Sequence, residues 1–584
     1  MVHAAVDFFD REAKPQWWGH FARLDAPAED WEPDRDVLVV DSGTAEPWEA
    51  KRSNYHRTLQ VTVREGDWRE YLPGDEVYLI YDQPTAAMKT GSTTGRGWTE
   101  AKVESQQGNV IRIKPERVPM TDAPPAELPA AIFPQATVRN GALVEQVRAF
   151  ADEWLACAPQ TPDSAVTDLL LRRPPRLHGG GELPRSGDET ADITAAVEAL
   201  DSSYLAVQGP PGSGKTYQAA QVIRSLVAAG RRVGVVSQSH KAVENLLDTA
   251  LALGVPPDHI AKKPKTGSGT RKPYHRATID DWLRSHTGGA VVGGTAWTFC
   301  SSNLADQLPL DLLIIDEAGQ YSLGYTISLW RSARNILLVG DPQQLPQVSQ
   351  GTHPEPVDVA ALSWLVDGES VLSDRFGHFL DQTRRMQSDL TAAVSRLSYD
   401  RRLVSHPDAD KRLLVDVTPG VHPVAVVHRD RTVLAPEEVD AVVPLVQRHV
   451  GATWTDGPDT RPLAQRDVMV VAPYNAQVAA IRRALRLVGL TDVPVGTVDR
   501  FQGQQAPVVI VSMTTSSRDD VPRGLGFVLS RNRLNVAISR AQWASYVVYS
   551  PALADHSPTS SPELVQLGAF LGVVEVMGEK PNAD

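Results

Sequence analysis

The sequence predicts an α/β protein with two parallel-sheet halves, preceded by a small β-barrel and a helix. Short, near-continuous apolar runs alternate with helical segments, and this alternation occurs twice along the chain. Such runs are typical of parallel strands in sheets that helices cover on both faces. The runs lie at 204–208, 233–237, 290–295, 312–316 and 335–340 in the first half, and at 423–428, 468–472, 507–512 and 545–549 in the second.

The region before the first half has a different period. Between residues 55 and 116, apolar residues alternate in runs that turn sequences separate, which predicts a small antiparallel barrel. Leu143, Val147, Phe150 and Trp154 then recur at helical spacing. We therefore expect a helical docking segment at 1–54, the barrel at 55–118, a linker and helix at 119–188, α/β domains at 189–372 and 373–560, and a tail at 561–584.

Composition limits the class of protein. The formal net charge of −13 over 584 residues excludes a globally basic nucleic-acid coat, so such a partner would need a local basic groove. With Cys157 and Cys300 as its only cysteines, the chain has neither a disulfide framework nor a cysteine-built metal cluster. It also has no apolar run of transmembrane length and no secretory signal, so we expect a cytoplasmic protein without a membrane partner.

One basic cluster contains no acid. It lies in AKKPKTGSGTRKPYHR, residues 261–276, and includes Lys262, Lys263 and Lys265. One interpretation is that these lysines contact phosphates of a nucleic acid, and the other is that the segment is a solvated loop.

The glycine-rich stretch QGPPGSGKT, residues 208–216, lies between an apolar strand and a helical pattern. This order predicts a phosphate-binding loop, because glycines let backbone N–H groups turn toward phosphate oxygens at a helix N-terminus. Lys215 should reach the β- and γ-phosphates and Thr216 should hold Mg²⁺, so ATP and Mg²⁺ are the expected cofactors. The expected nucleotide-binding residues of the loop are Gly209, Pro210, Gly212, Ser213, Gly214, Lys215, Thr216 and Tyr217.

Further candidates follow other predicted strands. Asp316 and Glu317 end a buried strand, where Asp316 is suited to Mg²⁺ and Glu317 to deprotonating the attacking water. Gln344, at the end of the next strand, is a candidate sensor of the γ-phosphate. Because charge spreads over the γ-phosphate oxygens during transfer, cations are also needed, and the second half offers Arg385 and Arg540.

These motifs, in this order, resemble those of superfamily 1 helicases, most closely the up-frameshift branch and its DNA-acting relatives. The resemblance covers about residues 200–550 and rests on GPPGSGKT, SQSHKAVENLL, DEAGQ, GDPQQL, TRRM, APYNAQ, VGTVDRFQGQQ and RLNVAISRA. It implies two RecA-like domains, with a 1B-like barrel on a helical stalk. It also implies nucleic-acid contacts, largely to the strand backbone, at Ser239, His240, Thr295, Pro473, Tyr474 and Gln477.

The N-terminal REAKPQWWGHF is similar to a junction in bacterial fusions of a RecB-like nuclease to such a helicase. The resemblance implies a nuclease domain or partner near this end, although packing of the aromatic stretch as a helix on the next domain is the favoured interpretation. An E-x-K pattern typical of nuclease sites occurs at Glu49, but it also recurs elsewhere, as at Glu12. Such easy recurrence indicates chance, so nuclease activity of this chain is disfavoured.

Two functional hypotheses remain. The first is a monomeric, ATP-dependent motor that moves 5′→3′ on single strands and separates duplexes, with DNA favoured over RNA and repair among its roles. The direction rests on the resemblance alone. The second is an ATP-gated clamp or remodelling protein without processive unwinding. A kinase or GTPase is disfavoured, because neither explains the arginine motifs of the second half.

The sequence departs from the helicase pattern around the nucleotide base. Asp192 and Ile193 stand near the place of the glutamine that reads adenine, Arg384 replaces an aromatic residue that stacks on the base, and Gln505 replaces a glutamate that contacts ribose. Arg384 and Gln505 remain candidate nucleotide contacts.

We therefore predict weak selectivity for the base. GTP or CTP should support turnover within about tenfold of ATP, because a site that makes few hydrogen bonds to the base discriminates poorly. Steady-state hydrolysis of the three nucleotides at equal Mg²⁺ measures this ratio, and strict dependence on ATP would contradict the prediction.

Overall fold

The structure, a computed structural model, describes residues 1–31, 36–64, 70–86, 88–90, 95–120, 123–135, 140–264, 272–301, 304, 310–516, 521, 524–555 and 557–574. It divides into two units. The first comprises residues 1–151, 263–277 and 348–358, and the second comprises 152–262, 278–347 and 359–584. Of the basic cluster, Lys265 and Arg271 lie outside the described residues.

The first unit contains a closed antiparallel barrel. Its strands follow the order β1-β8-β4-β6-β7-β3, and β1 also pairs with β3, which leaves no free edge in this ring. The barrel is longer than the predicted span 55–118, because β1 pairs with β8 through Leu38–Ile132 and Val39–Ala131. The strands are β1 Leu38–Ala45, β2 Glu49–Lys51, β3 Asn54–Val63, β4 Glu76–Tyr81, β5 Lys89–Thr90, β6 Gly97–Gln107, β7 Val110–Pro119 and β8 Ala131–Pro134.

Two N-terminal helices, α1 Val2–Val6 and α2 Phe8–Asp25, belong to the same unit. The ring of His20 on α2 lies 5.0 Å from that of Tyr78 and 4.8 Å from that of Trp98, and Trp17 stacks on Phe21 beside them. Burial, and next the charge of Arg23, lower the pKa of His20 to about 4, so this imidazole is neutral at pH 7. The aromatic stretch is thus packed on the chain's own barrel.

Helix α2 also holds the segment 348–358 of the first unit. The carboxylate of Glu12 accepts hydrogen bonds from Ser349 Oγ at 2.6 Å and from the N–H groups of Gln350 and Gly351 at 3.0 Å, and it lies 2.7 Å from His353 Nε2. Burial would raise the pKa of Glu12, but these hydrogen bonds outweigh it and lower that pKa. Glu12 is therefore a structural residue, which removes its nuclease-like pattern from consideration.

The second unit contains two parallel sheets. The first sheet has the order β11-β12-β10-β13-β14-β9-β15, with every pair parallel, and it includes all five runs predicted for the first half. Helix α3 Gly141–Cys157 precedes it in the chain. Its elements are α4 Ala165–Leu170, α5 Glu189–Ala199, β9 Tyr204–Gln208, α6 Lys215–Ala228, β10 Arg232–Val236, α7 His240–Ala252, β11 Ile260–Lys262, α8 Ile279–Ser285, β12 Ala290–Gly294, α9 Ala296–Phe299, β13 Leu310–Asp316, α10 Leu323–Ser328, β14 Ala333–Gly340, α11 Ala361–Val366 and β15 Gly377–Phe379.

The second sheet has the order β19-β25-β24-β22-β23 and is also parallel throughout. Two small sheets, β16-β17 and β18-β20-β21, accompany it. The paired α/β architecture is thereby confirmed. The elements are β16 Gln382–Thr383, α12 Ser388–Ser398, β17 Val404–Ser405, β18 Leu413–Leu414, β19 Gly420–Ala425, α13 Pro436–His449, β20 Thr453–Asp456, β21 Asp459–Pro462, β22 Val468–Val471, α14 Asn475–Leu487, β23 Val495–Gly496, β24 Ala506–Ser512, α15 Leu525–Val528, α16 Arg531–Ile538, β25 Ala541–Tyr549 and α17 Ser561–Val574.

Two further features concern the cysteines and the apolar character of the helices. Cys157 and Cys300 are both free thiols. Of the helices in the described part of the chain, none has the length and apolar character needed to cross a bilayer.

A buried ion pair lies inside the barrel. Arg57 Nε donates to Glu116 Oε2 at 2.6 Å, and neither side chain is more than 2% exposed. Tyr81 and Thr99 donate to the other carboxylate oxygen, and Arg57 also donates to the Glu127 carbonyl oxygen at 3.0 Å. Because both charges are desolvated, each depends on the other.

We predict that Glu116→Leu destabilises the barrel by about 3–5 kcal/mol, because it leaves the Arg57 guanidinium buried without a counter-charge. The double variant Arg57→Met/Glu116→Leu should recover most of this loss, because it removes the unpaired charge. Urea unfolding followed by tryptophan fluorescence measures both effects. Equal losses in the single and double variants would show that the ion pair is not the cause.

Candidate nucleotide site and nucleic-acid interface

The predicted phosphate-binding loop lies between β9 and α6. Gly212 and Gly214 have φ angles of +77° and +87°, a region that glycine enters without strain. A Cβ on Gly209 would lie 2.3 Å from Cγ of Lys215, whose Nζ donates to the Gly209 carbonyl oxygen at 2.6 Å. This cradle of N–H groups with one ammonium fits a phosphate chain. The same turn and the first turn of α6 hold the other predicted loop residues, Pro210, Ser213, Thr216 and Tyr217.

Two acids stand at the carboxyl end of β13. Glu317 has a φ of +58°, which is uncommon for a residue with a side chain, and its N–H donates to Asp316 Oδ1 at 3.1 Å. Burial and the charge of Glu317 raise the pKa of Asp316 to about 7, while the Lys215 ammonium opposes them. A bound cation would stabilise the ionised form of such a buried carboxyl. No group of three or more His, Cys, Asp or Glu side chains in the described ranges would hold a metal alone, so Mg²⁺ here would need phosphate oxygens as further ligands.

The first residues of the second half close over the phosphate-binding loop. Thr383 Oγ1 donates to the Pro211 carbonyl oxygen at 2.8 Å, and the N–H of Arg384 donates to the Gly212 carbonyl oxygen at 2.9 Å. A Cβ on Gly212 would lie 2.4 Å from Cβ of Arg385. The loop and the TRR sequence are therefore in direct contact.

The two predicted arginines meet beside this loop. Arg385 donates from Nε to Gln505 Oε1 and from Nη1 to the Ser539 carbonyl oxygen, both at 3.0 Å. Burial, and then the charge of Arg540, lower the pKa of Arg385 to about 9, so it remains a cation at pH 7. Burial also lowers the pKa of Arg540, while the Glu317 carboxylate is the strongest opposing charge. The structure thus brings together the cations of the second half and the acid of the first.

Gln344 lies in a polar network between the halves. It is buried and donates from Nε2 to Asp341 Oδ2 at 2.9 Å. The same Asp341 oxygen accepts from the Tyr399 hydroxyl at 2.7 Å, and Asn535 Nδ2 donates to that hydroxyl at 2.9 Å. Asn532 on α16 donates to the carbonyl oxygens of Pro342 and Gln344. The loop after β14 is therefore bonded to two elements of the second half.

Sequence reasoning missed the residues that complete this network. Asn535 lies within RLNVAISRA, but its role depends on contacts with the loop after β14, which the sequence alone does not reveal. Tyr399 follows helix α12 and carries no motif. Its complete burial raises its pKa well above the usual value, and the Asp341 carboxylate adds to this effect. The only available signal was a tyrosine next to a helix end, which is too common to single out.

The candidates near the nucleotide base are already engaged. Asp192 accepts hydrogen bonds from the N–H groups of Ser186 and Gly187. Arg384 is exposed and lies 3.7 Å from an Asp408 oxygen, and Gln505 accepts from Arg385. These side chains are therefore held by contacts within the protein, and Arg384 and Gln505 remain candidate nucleotide contacts.

The predicted nucleic-acid contacts follow the carboxyl ends of parallel strands, which is where open α/β sheets bind their ligands. Ser239 and His240 follow β10, Thr295 follows β12, and Pro473 and Tyr474 follow β22. Ser239 also caps α7, because its hydroxyl accepts from the N–H groups at positions 241 and 242. These five residues stay candidates for the strand-binding face.

Two of the predicted contacts are corrected by burial. Gln477 has no exposed surface, and its amide forms hydrogen bonds with the backbone of Ala435 and with Ser512 Oγ. Its role is therefore structural, and it does not contact a nucleic-acid strand. Lys262 lies in β11 with a side chain that is 1% exposed, and its Nζ is 2.8 Å from Glu244 Oε1. Lys262 cannot contact a nucleic-acid strand from that position. Lys263 is exposed, whereas Lys265 is outside the described residues.

Comparisons with known proteins agree with this architecture. Two family models, each described as an AAA domain, match residues 190–361 and 368–551. The fission yeast DNA polymerase alpha-associated DNA helicase A is 24% identical over 553 residues, which cover 80% of each chain. The budding yeast DNA replication ATP-dependent helicase/nuclease DNA2 is 23% identical over 67% of this chain, which spans only 28% of that protein. A solved arterivirus helicase with DNA has a TM-score of 0.37 at 14% identity, so the fold assignment rests on the strand order instead.

The parallel sheets, the phosphate-binding loop and the two facing arginines define a P-loop nucleoside triphosphatase with two RecA-like domains. Its two halves each match a family model, and its relatives are named as helicases. The chain is a superfamily 1 helicase. The narrower likeness to bacterial nuclease fusions has no support among these findings.

The raised pKa of Asp316 predicts that Mg²⁺ binding depends on pH. Only the carboxylate form binds the metal, so affinity should be nearly full at pH 8 and fall as the pH decreases through 7. With a pKa of about 7, the ionised fraction, and hence the Mg²⁺ affinity, should fall about tenfold from pH 8 to pH 6. Titration of Mg²⁺ into the protein with a fluorescent nucleotide measures this loss, after correction for Mg²⁺ binding to the free nucleotide.

Glu317→Gln is the matched control for this titration. It removes the neighbouring negative charge, so it should move the midpoint to lower pH while leaving the carboxyl of Asp316 in place. A profile that is flat between pH 6 and 8, or a midpoint that Glu317→Gln leaves unchanged, would contradict the coupling between the two acids.

Proposed function

We propose that the chain uses ATP hydrolysis to move 5′→3′ along single-stranded DNA and to separate duplexes. The observation that carries this proposal is the junction of the halves: Arg385 and Arg540 from the second half stand beside the loop and Glu317 of the first. A site divided in this way is completed only when the halves are close. Hydrolysis therefore changes how strongly they hold each other, which is the requirement for a motor.

The residues divide the chemistry between them. Lys215 and the loop N–H groups would bind the β- and γ-phosphates of ATP, and Thr216 and Asp316 would hold Mg²⁺, which neutralises charge on the phosphates. Glu317 would orient the attacking water and accept its proton. Arg385 and Arg540 would stabilise the charge that develops on the γ-phosphate oxygens, where buried cations are most effective.

The polar network gives this chemistry a mechanical output. Gln344 and Tyr399 share one carboxylate oxygen of Asp341, so a shift of Gln344 toward or away from a γ-phosphate alters the bond to Tyr399. Asn535 connects that tyrosine to helix α16, whose C-terminal end is followed by Arg540. We infer that loss of the γ-phosphate weakens this connection and lets the halves separate, so that each turnover advances the protein along the strand.

Three further points belong to the proposal. DNA as the track is supported by the relatives, which are named DNA helicases, whereas the direction is supported by the helicase resemblance. The expected monomeric state and the role in repair remain proposals. Nuclease activity is not proposed, because Glu12 is engaged in structural hydrogen bonds and Glu49 is exposed beside Lys51.

The test is to measure ATP hydrolysis with no nucleic acid, with single-stranded DNA and with single-stranded RNA, and to measure unwinding of duplexes with a 5′ or a 3′ tail. We expect DNA to stimulate hydrolysis and only 5′-tailed duplexes to separate. Glu317→Gln should bind nucleotide but slow hydrolysis by about 10²–10⁴-fold, because it lacks the general base. Lys215→Ala should weaken nucleotide binding instead.

Asp440→Asn, which removes an exposed acid on α13, is the control for a general effect of charge. Normal turnover in Glu317→Gln would refute the assigned base. Stimulated hydrolysis without unwinding on either tail would favour the clamp hypothesis, and stimulation by RNA alone would exclude DNA as the track.

A further inference from the structure

A cavity lies at the amino end of the first sheet, opposite the end that carries the nucleotide site. It holds about 320 Å³ of space, at the lower end of the range of roughly 300–1,000 Å³ that is usual for small-molecule sites. The first residues of β13 and β14 form its floor, where Leu312 and Asn335 pair in register. The C-terminal ends of α5 and α6 form its walls through Val197, Leu200 and Leu226. Of the described residues, none that is assigned to the nucleotide site or to nucleic-acid contacts lines this cavity.

The helical wall of the cavity favours a positively charged group. Glu198 lies in the last turn of α5 and is exposed, so its carboxylate opposes the partial negative charge of that helix C-terminus. The C-terminal end of α6 beside it adds partial charge of the same sign. Glu198 Oε1 accepts from Ser225 Oγ at 2.9 Å, and no arginine, lysine or histidine within the described ranges forms an ion pair with it. A bound ammonium group would relieve this unfavourable arrangement of like charges.

Two arginines at the strand ends offer the cavity a site for an anionic group. Arg334 Nη2 lies 3.4 Å from Asp201 Oδ1, and Arg231 Nη1 lies 3.2 Å from Asp311 Oδ1. The two arginine side chains are 59% and 61% exposed, and such solvated ion pairs contribute little free energy. Each guanidinium can therefore turn to a ligand carboxylate at small cost, and a guanidinium matches the two oxygens of a carboxylate well.

We propose that this cavity binds a small zwitterion with an apolar body, of the chemical class of a hydrophobic amino acid or dipeptide, and that it is an effector site. The ammonium group binds Glu198, and the carboxylate binds Arg334 with Arg231 beside it. The apolar body covers Leu226 and Leu312, which lie between the charged groups. A simple anion would meet the Glu198 carboxylate, and a simple cation would leave both arginines without a ligand. The inference goes beyond the proposed function, because neither the track nor the direction of movement enters it.

Helix α6 connects this cavity to the nucleotide site. It begins with Lys215 at the phosphate-binding loop and ends at the cavity about 20 Å away, because each helical residue adds about 1.5 Å. Helix α5 is hydrogen-bonded to α6 toward both ends. Thr190 Oγ1 donates to Gln218 Oε1 at 2.8 Å near the loop, and Ser225 donates to Glu198 at the cavity. A ligand ammonium on Glu198 competes with the Ser225 hydroxyl and so alters the packing of the two helices. The affinities for ligand and nucleotide should therefore depend on each other.

The experiment is calorimetric titration of the full-length protein with matched probes. The two zwitterions are L-phenylalanine and alanyl-phenylalanine, which differ in the separation of their charges. Each is compared with its C-terminal amide, which lacks the carboxylate, and with its N-acetyl form, which lacks the ammonium group. At least one zwitterion should bind, and removal of either charge should weaken its binding by about ten- to a hundredfold, the loss of one charge-assisted hydrogen bond. At saturation, that zwitterion should change the affinity for a fluorescent nucleotide by about fivefold or more.

Variants assign each charge of the ligand to its partner. Glu198→Gln should weaken binding of the zwitterion by about ten- to a hundredfold and remove its advantage over the N-acetyl form. Arg334→Gln should weaken binding of the zwitterion and reduce its advantage over the amide. Ala229→Trp fills the cavity from the exposed end of α6 and should abolish binding of every probe. Arg224→Gln and Asp258→Asn, which remove exposed charges outside the cavity, should change none of these affinities. Thermal unfolding confirms that the variants are folded.

Each outcome has a distinct meaning. Absence of binding by both zwitterions would overturn the inference, as would equal binding of the amide or the N-acetyl form. Unchanged binding in a folded Ala229→Trp variant would also overturn it, because the probe would then occupy another place. Binding at the cavity without a change in nucleotide affinity would overturn the effector role. Strand-stimulated hydrolysis and unwinding are measured without the zwitterion, so the proposed function stands or fails separately.

Discussion

The close packing of Gly212 against the first residues of the second half is the constraint on which the site depends. A Cβ at this position would lie 2.6 Å from Thr383 Oγ1 and 2.4 Å from Cβ of Arg385. Both distances are below ordinary van der Waals contact, so a side chain would push the TRR sequence away from the loop. Glycine therefore has two functions here, since its positive φ shapes the loop and its lack of a side chain lets Arg385 approach the phosphate site.

The same approach has an electrostatic cost that the nucleotide is suited to relieve. Burial, and then the nearby charge of Arg540, lower the pKa of Arg385, while burial, and then the charge of Glu317, raise the pKa of Asp316. The site thus places like charges next to each other on each side. A magnesium nucleotide offers partners of both signs, because its phosphates are anionic and its metal is cationic. Closure of the halves and nucleotide binding are therefore expected to stabilise each other.

Much of this arrangement was predictable from sequence, and the reasons for the failures are physical. All nine apolar runs proposed as strands of the two halves lie in or overlap parallel strands, because buried parallel strands need continuous apolar sequence. The barrel extends beyond its predicted span because β8 is short and follows a proline-rich stretch that hides its pairing. Lys262 and Gln477 were predicted to contact nucleic acid from residue type and from the helicase resemblance. Neither residue type nor resemblance shows whether a side chain is buried. Tyr399 was missed because its role depends on Asp341, which is distant in sequence.

The loss of Lys262 from the candidate surface moves the expected strand contacts toward arginines of the second half. Moving the ammonium of Lys262, whose side chain is 1% exposed, to a phosphate would break its ion pair with the partly exposed Glu244. Arg500 carries no such penalty, because it is exposed beside the turn that follows β22. A motor also benefits from contacts that break at every step, and exposed arginines form weak, screened contacts of this kind. Exposed arginines of the second half are therefore better candidates than Lys262 for contacts with a nucleic-acid strand.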